Sequence, residues 1–218
     1  MKILLFGASG SAGSAILDYC LASTDVDEVR VIVRRSLQRK ANPKLVEYVH
    51  DDFSNFRALE FAFSNVDSCL WCLGRSSTQI KTEEEYRFVT HDITLAAARL
   101  LKEKSPSAAF HYISGEGTRA DSMLMWSRVK AETENELMEL MGAVCWRPAF
   151  IDGNPSASET VWVKLFRPVL KMMKPFKGAY VSAADLARAM LITTKANVRS
   201  KVFQNVDIRN LIELHENK

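Results

Sequence analysis

The run KILLFGASGSAG, residues 2–13, constrains this chain more than any other stretch. A short apolar segment, KILLF, stops at Gly7, and a helical pattern takes over from about Ala12 to Leu21. Gly7, Gly10 and Gly13 stand in GxxGxxG spacing across the junction. A strand that turns straight into a helix needs glycine at the turn and where the helix packs back on the strand. The same geometry suits a dinucleotide. A glycine lets the backbone approach a pyrophosphate, and the helix N-terminus supplies N–H groups and the positive end of a dipole. Gly7, Ser9, Gly10, Ser11, Ala12 and Gly13 are therefore the first candidate cofactor contacts. The competing reading is a tight strand–helix turn with no ligand.

The rest of the chain repeats this alternation. Apolar runs at 29–33, 45–49, 68–73, 108–114 and 143–147 read as strands. Helical patterns fall near 83–103 and 123–141, and VFQNV at 202–206 reads as a last strand. Near-continuous apolar strands separated by helices predict a parallel sheet covered on both faces. The expectation is an α/β, Rossmann-like doubly wound parallel sheet. It forms a single domain over 1–218, with residues from about 150 onward contributing a small C-terminal lobe. Ligands in such sheets sit at the carboxyl ends of the strands.

Charge and length narrow the classes. With 29 Lys+Arg against 26 Asp+Glu the net charge is +3, too mild to suggest a nucleic-acid partner. No apolar run approaches the ~20 residues of a transmembrane segment. The first residues do not read as a signal peptide, so a cytoplasmic setting is expected. Cys69 and Cys72 spell CLWC, but on a strand residues three apart face opposite sides, so packing is favoured over a metal or redox pair.

The second strand ends in Arg34 and Arg35. Sites selective for NAD usually carry a carboxylate there for the ribose 2′-hydroxyl, whereas guanidinium groups suit a 2′-phosphate. NADP(H) is therefore preferred over NAD(H). The alternative is a solvated basic loop, RRSLQRK. Asp52 and Phe53 follow the third strand, either as adenine contacts or as a cap and staple, with Ser54 competing as the cap.

GxxGxxG, the RVIVRR strand end, DDF, the CLG loop, YIS…WSRVK and WRPAF in this order resemble an atypical short-chain dehydrogenase/reductase. The closer likeness is to the NAD(P)H-binding subgroup that includes the human Tat-interacting protein. It runs through nearly the whole chain. The resemblance implies a Rossmann-like domain, cofactor contacts at Leu73, Gly74, Lys130 and Pro148, and a lobe over the nicotinamide end. It also implies catalysis by a serine at the end of the fifth strand and a YxxxK pair. Ser114 and Lys130 match. Trp126 stands at the tyrosine position, and Gly115 where a second serine is common. Indole donates a hydrogen bond but does not shuttle a proton, so Trp126 is not read as an acid/base. Tyr86, His91, Tyr112 and Tyr180 are the other groups considered, and each reads as packing.

Finally, VWVKLFRPVLKMMK (161–174) interleaves an apolar stripe with Lys164, Arg167, Lys171 and Lys174. It reads as a lid helix with a solvated basic face, or else as a protein or membrane-surface contact. Three functions follow: an NADPH-dependent oxidoreductase of unusual mechanism acting on a small molecule, a non-catalytic NADPH-binding sensor, or an interaction protein using the basic helix.

Overall fold

A computed structural model describes residues 1–74, 80, 82–155 and 171–216. The main sheet has seven strands: β1 (Lys2–Phe6), β2 (Glu28–Val33), β3 (Leu45–Val49), β4 (Ser68–Trp71), β5 (Ala109–Ile113), β6 (Val144–Arg147) and β9 (Lys201–Gln204). Their order is β3-β2-β1-β4-β5-β6-β9, and every neighbouring pair is parallel. The expected doubly wound α/β sheet is present. Ile3 through Phe6 are fully buried because β1 is central, with Phe6 level with Ile32 on one side and Trp71 on the other. The chain leaves β1 in one direction for β2 and β3, then returns to β4 on the opposite side. The crevice for a ligand opens at that reversal.

Helices cover both faces. On one side α1 (Ser11–Ala22) packs Ile16, Leu17 and Cys20 with Leu186, Ala187 and Met190 of α5 (Ala183–Lys195). Ile208 and Ile212 of α6 (Asn205–Glu216) join the same cluster. Each large aliphatic side chain taken out of water here contributes about 1.5–3 kcal/mol. The other face carries a 3-10 turn (Arg57–Phe63), α3 (Ile93–Lys104) and α4 (Met125–Met141). Cys69 belongs to this second cluster, whereas Cys72 packs on the first with Cys20, so the two CLWC sulfurs lie on opposite faces.

The structure refines the sequence expectation in four places. The long helix of 83–103 is not uniform. A short α2 (Glu83–Arg87) passes into a π-turn (Phe88–Asp92) before α3, with the Ile93 N–H donating to Phe88 O. The extra residue per turn buries Thr90 and His91. Residues after Pro148 form a second, two-stranded parallel sheet, β7 (Phe150–Asp152) with β8 (Tyr180–Ser182). Ser182 caps α5 by accepting from the Asp185 N–H at 3.0 Å, as the Ser182/Asp185 spacing anticipates. The last strand ends at Gln204 instead of running through Val206. Asp207 accepts the Gln204 N–H at 2.9 Å, and α6 starts at Asn205.

A buried polar knot ties β5, β6 and α5 together. His111 on β5 accepts from Trp146 Nε1 at 3.2 Å through Nδ1, leaving Nε2 to donate to Thr194 Oγ1 at 2.8 Å. Burial pushes the His111 pKa down to about 3.

Candidate functional site

At the phosphate end the site is made by backbone. Gly7 has φ +79°, and a Cβ there would lie 2.4 Å from Cys72 O; a Cβ on Gly13 would lie 2.1 Å from Gly7 O. Strand, turn and helix are therefore in direct backbone contact, and no side chain fits between them. The Gly10 N–H donates to Gly7 O at 2.9 Å, and the N-cap residue of α1, Gly10, has no side chain to cap the helix. No acidic residue stands in the first turn of α1 to oppose an anion. These features fit a dinucleotide pyrophosphate.

A cleft of about 760 Å³ opens beside this turn. Ser9 and Ser14 line one wall, Arg34, Arg35 and Arg39 another, and Asp51 and Pro155 complete it. Arg34 and Arg35 are exposed, with no carboxylate partner among the described residues. Arg39 lies within the same RRSLQRK run and is paired with Asp18 of α1. Asp52, by contrast, accepts both the Ser54 N–H and the Ser54 hydroxyl, which hold its carboxyl below the usual range. Phe53 stacks edge-on against Phe6 and Phe56, at 6.3 and 5.6 Å between ring centroids. The carboxylate on the cleft wall is Asp51. The Gly153–Pro155 loop packs against the head of α1. Its Asn154 N–H donates to Ser11 O at 3.0 Å and its Asn154 Nδ2 to Asp18 Oδ2 at 2.7 Å.

At the other end the site is made by side chains. Trp126, Lys130 and Glu134 recur every four residues along α4 and so share one face. Lys130 Nζ donates to Ser114 O at 2.6 Å. Burial pushes the Lys130 pKa down to about 8, against the opposing pull of the Glu134 carboxylate. Glu134, 1% exposed, is clamped by Arg147 at the end of β6, with Nε–Oε1 at 3.0 Å and Nη2–Oε2 at 2.5 Å. Ser114 is buried and bonded to Thr118 Oγ1 at 3.0 Å. Thr118 spends its own proton on Gly115 O at 2.8 Å, so the Ser114 hydroxyl is the donor in their bond. That proton must be released before Ser114 can polarise a substrate.

Ser114 borders two cavities. The smaller, about 230 Å³, is lined by Leu73 and Gly74 at the end of β4, by Tyr86 and Thr90 across the π-turn, and by Lys130. Tyr86 packs in one apolar cluster with Trp126, Ile80 and Val129, and burial raises its phenol pKa. Its place beside Lys130 has no signature in the sequence, because a turn in one helix sets it against another helix. Tyr112 lines this cavity too and is pushed up further by burial. Tyr180 instead donates to Asp152 at 2.8 Å, and His91 bridges Asp92 and Glu136 at 2.7 and 2.9 Å. The larger cavity, about 630 Å³, includes Trp126 and Pro148. Most of the basic segment 161–174 lies outside the described residues; Lys171, Met172, Met173 and Lys174 are exposed.

No protein-family model matches the chain. Among curated proteins, the mitochondrial protein fmp52-1 of Aspergillus terreus is 28% identical over 162 residues, covering 72% of this chain and 69% of that protein. The mitochondrial FMP52 of Eremothecium gossypii is 27% identical over 155 residues, covering 70% and 67%. That of Saccharomyces cerevisiae is 26% identical over 140 residues, covering 64% of this chain and 60% of that protein. These names overturn the cytoplasmic expectation. The absence of a signal-peptide pattern carries no information that would distinguish a cytoplasmic from a mitochondrial setting.

Among solved structures, the dTDP-glucose 4,6-dehydratase DesIV of Streptomyces venezuelae, with NAD and TYD bound, superposes with a TM-score of 0.69 at 15% identity, over 100% of this chain and 80% of that one. The enzyme WbmF of Bordetella bronchiseptica, in complex with NAD+, gives 0.71 at 14%, over 100% and 79%. A short chain dehydrogenase family protein of Francisella tularensis gives 0.67 at 13%, over 93% and 96%. What these establish is the fold: the Rossmann-like sheet of short-chain dehydrogenase/reductase structures.

Proposed function

We propose that this chain is an NADP(H)-binding oxidoreductase of the short-chain dehydrogenase kind whose proton chemistry has left the usual position on α4. The observation that carries the reading is one cleft joining the uncapped α1 turn to Arg34, Arg35 and Arg39. Arg34 and Arg35 hold the 2′-phosphate, Ser9 and the turn hold the pyrophosphate, and Lys130 with Leu73 and Gly74 receives the nicotinamide ribose. The subgroup likeness to the Tat-interacting protein and the relatives' mitochondrial setting extend to this chain as part of the same reading.

When bound, the reduced cofactor supplies a hydride to a carbonyl carbon. The carbonyl oxygen then takes a proton, and Tyr86 is the phenol placed to give it. A phenol carries that proton at neutral pH, burial raises its pKa further and so opposes the donation, and Lys130 is the cation of the same cavity that can restore the proton. Trp126 shields this space without titrating. The products are an alcohol and the oxidised cofactor. A second reading, a non-catalytic NADPH sensor, is favoured by one observation: the Ser114 proton is tied to Thr118.

Calorimetric titration with NADPH and NADH side by side tests the binding. NADPH is expected to bind more tightly, and Arg34→Ala/Arg35→Ala to lose about 1.5–3 kcal/mol for NADPH only. Equal affinity for both cofactors removes the 2′-phosphate clamp. Consumption of NADPH with carbonyl compounds, lost in Tyr86→Phe at unchanged NADPH affinity, separates the enzyme from the sensor.

A further inference from the structure

The larger cavity beside Ser114 has a composition that selects a substrate class. Trp126, Pro148, Phe150, Ile151 and Met173 give it apolar walls, with Gly115, Ala149, Gly178 and Ala179 between them. Among the described residues its one charged lining residue is Glu116, which is exposed, with its N–H donating to Pro148 O at 2.9 Å. No Lys, Arg or His lines it among the described residues. The nearby Lys171 is engaged by Asp152 at 3.4 Å, and that carboxylate also accepts the Tyr180 hydroxyl.

A nucleotide sugar would bring a diphosphate into this space. Its two negative charges would meet apolar side chains and a carboxylate, with no cation among the described lining residues to replace their hydration. An uncharged apolar molecule meets the opposite situation. It loses only unfavourable contact with water, and the cavity's size of about 630 Å³ falls within the range of ordinary small-molecule sites. Ser114 sits where this cavity adjoins the one holding Tyr86 and Lys130, so a polar end at Ser114 leaves the remainder of the molecule along Trp126, Phe150 and Ile151.

We propose that the acceptor bound here is an uncharged, apolar aldehyde or ketone, aliphatic or aromatic, and not a nucleotide sugar. This rests on the hydride-transfer reading above. It divides the chain from the nucleotide-bound dehydratase that shares its fold, because the division is set by the lining of one cavity and not by the sheet.

The test is equilibrium dialysis of the full chain, with and without NADPH, against acetophenone, 2-nonanone and UDP-glucose. Retention of either ketone with no retention of UDP-glucose is expected. Ile151→Glu places a second carboxylate in the cavity wall and is expected to weaken ketone retention by about tenfold or more. NADPH affinity serves as its folding control, and Ile151→Ala, a smaller change, is expected to weaken retention less. UDP-glucose bound as well as the ketones overturns the proposal. So does absence of ketone binding, or ketone binding unchanged in Ile151→Glu. Ketone binding without NADPH oxidation leaves the ligand class standing and removes the hydride-transfer reading. Failure of NADPH itself to bind removes that reading alone, since the ketone arm run without cofactor still decides the ligand class.

Discussion

The two ends of the crevice are held by different kinds of atoms. At the β1–α1 turn the geometry is set by main chain against main chain, with glycine at the points where a Cβ would lie within 2.1–2.4 Å of a carbonyl. At the β5–α4 end it is set by side chains, Lys130 on Ser114 O and Glu134 in the grip of Arg147. A backbone-built site tolerates no substitution and therefore keeps its pattern. A side-chain-built site can lose one member and keep its shape, as it does with Trp126 at the position of the family's tyrosine. The glycine turn accordingly keeps the spacing that carries the family resemblance, while the β5–α4 end departs from that resemblance at Trp126 and Gly115.

The sharpest way to break this contrast is Gly13→Val. Its Cβ would collide with Gly7 O, so loss of more than about 4 kcal/mol of stability or failure to fold is expected, together with loss of NADPH binding. A well-folded variant would show that the turn is not closed by backbone contact. Next in size is Glu134→Ala. It strips the partner from Arg147 and should cost about 3–5 kcal/mol in urea unfolding. It also removes the carboxylate that supports the Lys130 charge, so the Lys130 pKa should fall further below about 8.

The third prediction concerns the buried imidazole beneath β5. In the folded chain His111 titrates near 3, against about 6.5 when unfolded. Between those values the unfolded state binds a proton that the folded state refuses. The contribution of His111 to stability is complete above about pH 6.5 and falls by about 1.4 kcal/mol per pH unit as pH drops toward 3. His111→Phe should flatten that slope in denaturant titrations at several pH values; an unchanged slope would assign it to other groups.

The smallest effect tests the side-chain end directly. A Cβ on Gly115 would meet Lys130 Nζ at 3.6 Å, an ordinary contact, and Trp126 is only half-buried. Gly115→Ser/Trp126→Tyr should therefore shift stability by less than about 1 kcal/mol. It should also reduce carbonyl compounds with NADPH faster than the parent chain does. A folded, NADPH-binding double variant no faster than the parent would mean that the β5–α4 end departs from the family pattern in more than these two residues.

The same distinction explains what the sequence disclosed. Strands β1 to β6 announce themselves by apolar runs, and the cofactor turn by glycine spacing, because both are local. The π-turn does not, since hydrogen bonding to the fifth residue leaves no residue signature in EEEYRFVTHD. The juxtaposition of Tyr86 with Lys130 depends on that turn. Strands β7 and β8, three residues each and 27 residues apart at their facing ends, fall below any periodicity. Arg39 is one of several basic residues in RRSLQRK, and only tertiary contact with Asp18 and the cleft gives it a place.

The position of β9 has a consequence for how the chain reaches its native state. It pairs with β6 and stacks Phe203 on Trp146, ring centroids 4.7 Å apart, yet it follows β6 by more than fifty residues. During synthesis, β6 emerges long before the strand that will cover it. For that interval the open edge of β6 offers its unpaired backbone groups to any extended segment within reach. Assembly from the ribosome therefore passes through a species whose hazard is edge-to-edge association at β6, and arrival of the last strand covers that edge and leaves the four-residue β9 in its place.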